Sequence, residues 1–456
     1  HEQNLMGGYE HYYYHLTFTG KPLQVRHDHV TRDTIITEVL RYTYDNMERL
    51  VDTYLTCGGG EERLLCRNTY DTLGRLVSQS LGGADVSACA DSVRYDYNVR
   101  GWTTGVTSRH FAQALRYEDA GGTGATPCYN GNICAVEWTG RESTIASSPI
   151  TQRYSYTYDG LNRLTAAAYS ATGGSSLNWS LAAGNARDYS CSYGYDLNGN
   201  VTALSRKSVD ASARVFDYTC CTFGTIDDLS LRYNGNQLKE VTDQCEDLTY
   251  EGAMEFSDGA NRSDEYAYDA NGNMTQDKNK GIHSIAYNSR NLAQVVLFND
   301  GHETRYTYAA DGRKLRVEYL LTNARFADDL VAVPADDAPM PMSLGGGAVA
   351  PLDSAAFAPI DSAYAEPAEV TLMTLDYCGN HIYRNGRLER TLTDVGYIDT
   401  IGCHYYVKDY RGDIRTVVGE DGTLEEANSY YPYGMLHGTS AIASTQPYKY
   451  TGKEID

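Results

Sequence analysis

Tyr42-Thr43-Tyr44-Asp45-Asn46-Met47-Glu48-Arg49-Leu50 returns, altered but legible, as Tyr70-Asp71-Thr72-Leu73-Gly74-Arg75-Leu76 and as Tyr95-Asp96-Tyr97-Asn98-Val99-Arg100-Gly101-Trp102. Full copies recur at Tyr156-Thr157-Tyr158-Asp159-Gly160-Leu161-Asn162-Arg163-Leu164, at Tyr193-Gly194-Tyr195-Asp196-Leu197-Asn198-Gly199-Asn200 and at Tyr266-Ala267-Tyr268-Asp269-Ala270-Asn271-Gly272-Asn273. Degenerate ones stand at Tyr233-Asn234-Gly235-Asn236, Tyr287-Asn288, Tyr306-Thr307-Tyr308 with Asp311-Gly312-Arg313, and Tyr383-Arg384-Asn385-Gly386-Arg387-Leu388.

Each copy carries its own geometry. Two tyrosines separated by one residue lie on the same face of a strand, because side chains alternate with period two. The Asp or Asn that follows, with Gly nearby, accepts turn conformations that other residues resist. The returning Arg-Leu opens a second strand, with Arg near the turn Asp and Leu facing the tyrosines. One unit is therefore a β-hairpin.

Spacing chooses the architecture. Steps from Tyr44 through Tyr70 to Tyr97 are 26 and 27 residues; from Tyr158 through Tyr195 and Tyr233 to Tyr268 they are 37, 38 and 35; to Tyr287 and Tyr308 they are 19 and 21. A propeller needs about 40–50 residues in every blade, so such variation argues against one. The pattern predicts an all-β chain: a long antiparallel sheet to which hairpins add in order, curled by its twist into a spiral or cocoon-like hollow shell.

Composition agrees. The 40 tyrosines against 8 Phe and 3 Trp suit a sheet wetted on one side, since Tyr joins an apolar ring to a polar tip. A formal charge of −22 argues against nucleic acid as a partner. There is no apolar run of about 18 residues to span a membrane, and the start at His1-Glu2-Gln3-Asn4 reads as an internal cut rather than a signal peptide. Eleven cysteines leave at least one unpaired; Cys57/Cys66, Cys128/Cys134 and Cys220 or Cys221 with Cys245 are close enough in sequence to be bridged or not.

Three segments follow from motif content: a repeat shell at 1–323, an acidic Ala/Pro/Gly-rich insertion at 324–370, and a distinct region at 371–456. The insertion has no Lys or Arg between Arg325 and Arg384 and reads as a loop between hairpins, with a lid or plug as the alternative.

The succession of tyrosine-aspartate copies resembles the YD repeats of Rhs proteins and related polymorphic-toxin shells. His404-Tyr405-Tyr406-Val407-Lys408-Asp409-Tyr410-Arg411-Gly412-Asp413, then Tyr430-Tyr431-Pro432-Tyr433-Gly434 and Tyr450-Thr451-Gly452-Lys453-Glu454-Ile455-Asp456, look like the Rhs repeat-associated core. The likeness leaves out the insertion and what read as loops near 120–150 and 205–225. It implies a hollow β-shell, secreted or at the cell surface, around a variable C-terminal polypeptide, often a toxin. A secretion apparatus or surface glycans are further partners it suggests. In the family the self-cleavage motif lies beyond the point where this chain stops, so no cleavage residue is assigned.

Chemistry is sparse. Asp196-Leu197-Asn198-Gly199-Asn200 and Asp269-Ala270-Asn271-Gly272-Asn273 resemble the start of a calcium loop, but Lys207 and Lys280 stand where a bidentate Glu is needed, so turn chemistry is the expectation. His27 and His29 share a strand face without an evident third ligand, and with His11 and His15 they read as surface histidines. Cys403 and His404 point to opposite faces if in a strand. Glu61-Glu62, Asp227-Asp228 and Glu425-Glu426 read as solvated loop charges, and Gly121–Thr126 lacks the Gly-Lys ending of a phosphate loop. Trp102, Trp138 and Trp179 read as packed rather than as sugar platforms. The expectation is a structural protein, not an enzyme, with no cofactor and no metal; a glycan-binding adhesin is the alternative.

Overall fold

The computed structural model describes residues 2–83, 88–122, 124–141, 149–173, 179–181, 187–215, 218–246, 255–260, 262–321, 370–437 and 446–454. Among them every regular element is a β-strand except a 3-10 turn at Tyr450–Gly452. The stretch 324–370 lies outside the described residues, save Val370 at the head of the strand Val370–Cys378.

The chain divides into two compact units: His1–Glu265 together with Asp376–Asp456, and Tyr266–Leu375. These units cut across the segments drawn from motifs, because nearly all of 371–456 packs with the first repeats.

In the first unit an 18-stranded sheet is built almost entirely by adding neighbours in chain order. Tyr9–Leu16 pairs with Pro22–Val30, then Ile35–Tyr44, Leu50–Cys57, Arg63–Tyr70, Leu76–Leu81, Asp91–Tyr97 and Thr103–Thr107 follow, all antiparallel. The ladder continues through Phe111–Arg116, Ala135–Gly140, Ile150–Tyr158, Leu164–Gly173 and Cys191–Tyr195. Val201–Val215, Tyr218–Asn234 and Gln237–Asp243 extend it. The long antiparallel sheet expected from the repeats is present. The region near 205–225 that read as a loop lies instead largely within the longest strand pair, Val201–Val215 with Tyr218–Asn234. Trp179–Leu181 pairs in parallel with Tyr218–Asn234.

The C-terminal part of this unit adds antiparallel strands at His381–Arg384, Arg387–Thr393, Gly396–Ile398, Cys403–Lys408, Ile414–Gly419 and Leu424–Ala427. They cover one face of the large sheet. Val407, Val418 and Tyr431 share a buried apolar cluster with Leu81, Val106, Trp138 and Tyr189. Polar contacts fix the same face: Trp138 Nε1 donates to Ser429 Oγ at 3.2 Å, and the His437 ring stacks on Tyr189 at 3.8 Å.

The second unit repeats the scheme by itself. Tyr266–Tyr268, Met274–Asp277, Ile282–Tyr287, Ala293–Phe298, His302–Tyr308 and Lys314–Leu321 pair successively, all antiparallel.

Candidate functional site

The repeat residues form one recurring device. In the first full copy Asp45 N–H donates to Arg49 O and Glu48 N–H donates to Asp45 O, which closes a five-residue turn. The Asp45 carboxylate accepts from the N–H groups of Met47 and Arg49 and from Arg49 Nε at 2.7 Å. Asp71, after Tyr70, and Asp159, after Tyr158, make the same set with Arg75 and Arg163. The backbone N–H of the Arg, more than its side chain, holds each of these carboxyls below the usual range. In Asp196 and Asp269 the partner is the amide of Asn200 or Asn273, at 2.8 Å in both. Those oxygens are occupied within the turn, as turn chemistry requires and a calcium loop does not.

The fourth turn position needs positive φ. Gly74, Gly199, Gly272 and Gly412 supply it at 83°, 91°, 86° and 90°, while Glu48 and Asn162 adopt 59° and 64° at a steric cost. Two degenerate copies use shorter turns: Asn385-Gly386 has two positive φ values and pairs Arg384 with Arg387, and Gly235 begins the two-residue turn between Asn234 and Gln237.

Successive turns are keyed to each other. Arg163 Nη1 donates to Asp196 O at 2.8 Å and its guanidinium lies over the Tyr195 ring. Arg49 reaches Asp71 O and the Tyr70 ring, and Arg75 reaches Asn98 O and the Tyr97 ring. In return each Tyr hydroxyl donates to the carbonyl that opens the previous returning strand: Tyr70 to Leu50, Tyr97 to Leu76, Tyr195 to Leu164. Tyr44 follows the rule with Pro22 O, and Tyr287 and Tyr308 do so in the second unit.

The residues that resembled a separate core obey the same grammar. Asp409 to Asp413, Tyr431 to Met435 and Lys449 to Lys453 each close a five-residue turn, with Gly412, Gly434 and Gly452 in fourth place. Here the turns are packed against other groups. Burial raises the Asp409 carboxyl against the pull of Arg415 and Arg411. The Pro432 carbonyl accepts from Arg411 Nη1 at 2.5 Å, and a Cβ on Gly434 would lie 2.5 Å from the Tyr450 ring. Glu454 accepts from the Tyr377 hydroxyl at 2.9 Å, whereas Ile455 and Asp456 lie outside the described residues.

A second feature overturns a sequence expectation. His27 and His29 are not surface residues: they are 5% and 0% exposed and share the face predicted by strand alternation. Register places Glu38 opposite His27 and Glu10 opposite His29 on the flanking strands. Glu10 bridges both imidazoles, at 2.6 Å to His27 Nε2 and 2.7 Å to His29 Nδ1, and Asn4 Nδ2 donates to it. His381, fully buried, supplies the ring that sequence reading lacked, 4.5 Å from His29 and 5.4 Å from His27 between centroids. Tyr383 completes the group through a 2.7 Å contact to His29 Nε2.

Burial opposes the charge on both partners, but the mutual hydrogen bonds prevail, so Glu10 falls to about 2 and His27 rises to about 9. His381 is pushed down to about 4 by burial, against the attraction of Glu38. Of the other histidines, His15 lies on the exposed face, as expected.

Other corrections concern charge and sulfur. Asp227 and Glu426 are buried in strands rather than solvated in loops; they pair with Arg206 and Lys449. Cys57 and Cys66 are separate thiols, because register sets Cys66 opposite Thr53, four residues along the strand from Cys57 and beyond disulfide reach. Cys128 and Cys134 are likewise separate, so the 57/66 and 128/134 bridges are not formed; the side chains of Cys220 and Cys221 lie outside the described residues. Cys403 meets Arg63, while His404 meets Glu425 and Asp399, so the adjacent pair shares no partner. Trp138 is buried and Trp102 half-buried, and the Trp179 side chain lies outside the described residues.

No protein-family model matches the chain, and no curated protein matches it in sequence. Its fold is similar to part of the chain in a crystal structure of TcdB2-TccC3-Cdc42, with TM-score 0.58 and 15% identity over 97% of this chain and 21% of that one. TcdB2-TccC3 without its hypervariable C-terminal region gives 0.56, 15%, 96% and 21%. The Photorhabdus luminescens Tc holotoxin pore with a TccC3 substitution gives 0.57, 14%, 97% and 21%. The chain thus has the fold of these proteins over about a fifth of their length. No described helix is long and apolar enough to cross a membrane.

Proposed function

We propose that this chain is a wall segment of a secreted or cell-surface Rhs-like shell that encloses or displays a variable, often toxic, polypeptide C-terminal to it, and that it acts without catalysis of its own. The observation that carries this reading is the keying of successive turns. Arg49, Arg75 and Arg163 each bind the next turn and stack on its Tyr, so the hairpins form a laterally continuous sheet rather than independent modules. Similarity to the structures of TcdB2-TccC3 and of TcdB2-TccC3 without hypervariable C-terminal region supports it at the level of fold.

The test is limited proteolysis of the natural full-length gene product. A polypeptide C-terminal to this segment should survive while the wall is native and be digested once denaturant opens it. Digestion at the rate of the same polypeptide made alone sinks the reading.

One observation favours a second reading, a glycan-binding adhesin: Tyr13 and Tyr14 on the strand Tyr9–Leu16 are 53% and 61% exposed. Tyr14→Ala should then abolish binding on a glycan array, and an array blank for the wild-type chain removes this alternative.

A further inference from the structure

We propose that His27, Glu38 and His381 bind one zinc ion, which clamps the N-terminal strands of the first unit to the hairpin at 381–393. The three ligand atoms all lie within 4.8 Å of one another, and all three residues are buried. Glu38 Oε2 stands 3.4 Å from His27 Nδ1 and 3.6 Å from His381 Nε2. These contacts are longer than good hydrogen bonds. They match the ligand-to-ligand edge of roughly 3.4 Å in a tetrahedral site with bonds of about 2.0–2.1 Å.

Unmet polar demand points to the same place. His381 Nε2 and Glu38 Oε1 are buried without a hydrogen-bond partner. Such atoms are costly when left so, and a cation bound through Glu38 Oε2 would satisfy the His381 nitrogen directly.

The outer shell is already in place. The second nitrogen of each imidazole is held: His27 Nε2 by Glu10 at 2.6 Å and His381 Nδ1 by Thr391 Oγ1 at 2.8 Å. Asn380 Nδ2 donates to Glu38 Oε2 at 3.0 Å and orients the carboxylate. This is how ligating histidines are fixed in tautomer and direction. A cavity of about 420 Å³, bordered by Tyr12, His27, Glu38 and Asn380, offers a path for the ion and a water as fourth ligand.

Two imidazoles and one carboxylate suit zinc; calcium and magnesium want oxygen alone. In the loaded site the imidazoles would be neutral, zinc having displaced the proton from His27, and the two buried carboxylates, Glu10 and Glu38, would balance its divalent charge.

The test uses the full chain, loaded with zinc, dialysed and measured by plasma mass spectrometry. One zinc per chain is expected, together with a rise in melting temperature on zinc addition. Cobalt substitution should give the visible bands of a tetrahedral nitrogen-oxygen site. Glu38→Gln and His381→Gln should lose stoichiometric zinc, and Glu10→Gln should weaken binding roughly 10–100-fold, while His15→Gln keeps the full content. If His381→Gln fails to fold, the near-isosteric Glu38→Gln decides. The proposal is overturned by a wild-type chain that retains no stoichiometric zinc, by a folded Glu38→Gln that retains as much as wild type, or by a thiolate-to-cobalt charge-transfer band.

Discussion

The guanidinium of Arg163 lies over the ring of Tyr195, with its carbon 4.7 Å from the ring centroid, although the two belong to successive turns. The same Arg braces its own turn through Asp159 and reaches the next through Asp196 O. A double-mutant cycle of Arg163→Ala and Tyr195→Leu should show coupling of about 0.5–1 kcal/mol in chemical denaturation. Arg163→Lys should not restore it, because an ammonium cannot make the fork of bonds and stack at once. Additive single effects would show that the turns are not keyed.

Fourth-position residues should respond in opposite directions. Gly74 has φ of 83°, so Gly74→Ala is expected to lose roughly 1–2 kcal/mol, whereas Glu48→Gly at φ of 59° is expected to gain about 1 kcal/mol. Midpoints of guanidinium denaturation of the two variants check the signs.

Gly412 and Gly434 hold the same turn position in different surroundings. A Cβ on Gly412 meets open space; on Gly434 it strikes the Tyr450 ring. Gly412→Ala should lose roughly 1–2 kcal/mol and Gly434→Ala about 3 kcal/mol or more. Equal losses would refute the packing account.

His404 predicts a pH dependence. Burial works against its charge, but Glu425 at 2.5 Å and Asp399 at 3.0 Å raise its pKa, and Tyr397 stacks on the ring at 4.4 Å. A group whose pKa is raised on folding contributes fully below its unfolded value of about 6.5 and loses that contribution as pH rises through the folded value. The stability gap between wild type and His404→Gln should therefore be larger at pH 6 than at pH 9. A gap that stays constant or widens with pH contradicts the ion pair.

The turn aspartates act with the opposite sign. Asp71 and Asp159 are depressed by the N–H groups they cap, so their stabilisation is present above the unfolded carboxylate value and fades in acid. Asp159→Asn should differ most from wild type at neutral pH and least near pH 3; an unchanged difference would show that charge plays no part.

What residue order determined by itself was local: where the tyrosine-aspartate hairpins turn, which face the paired tyrosines share, and that Arg after the turn would lie near its Asp. Once the turns are placed, counting back along the strands even sets Glu38 opposite His27 and Glu10 opposite His29. Tertiary structure alone decided that His381, 354 residues beyond His27, closes on those histidines, and that Asp227 and Glu426 are buried pairs rather than solvated charge. The reason is physical. Alternation with period two says which side chains share a face, but which distant strands cover that face depends on the packing of the C-terminal strands, and no spacing in the chain encodes that.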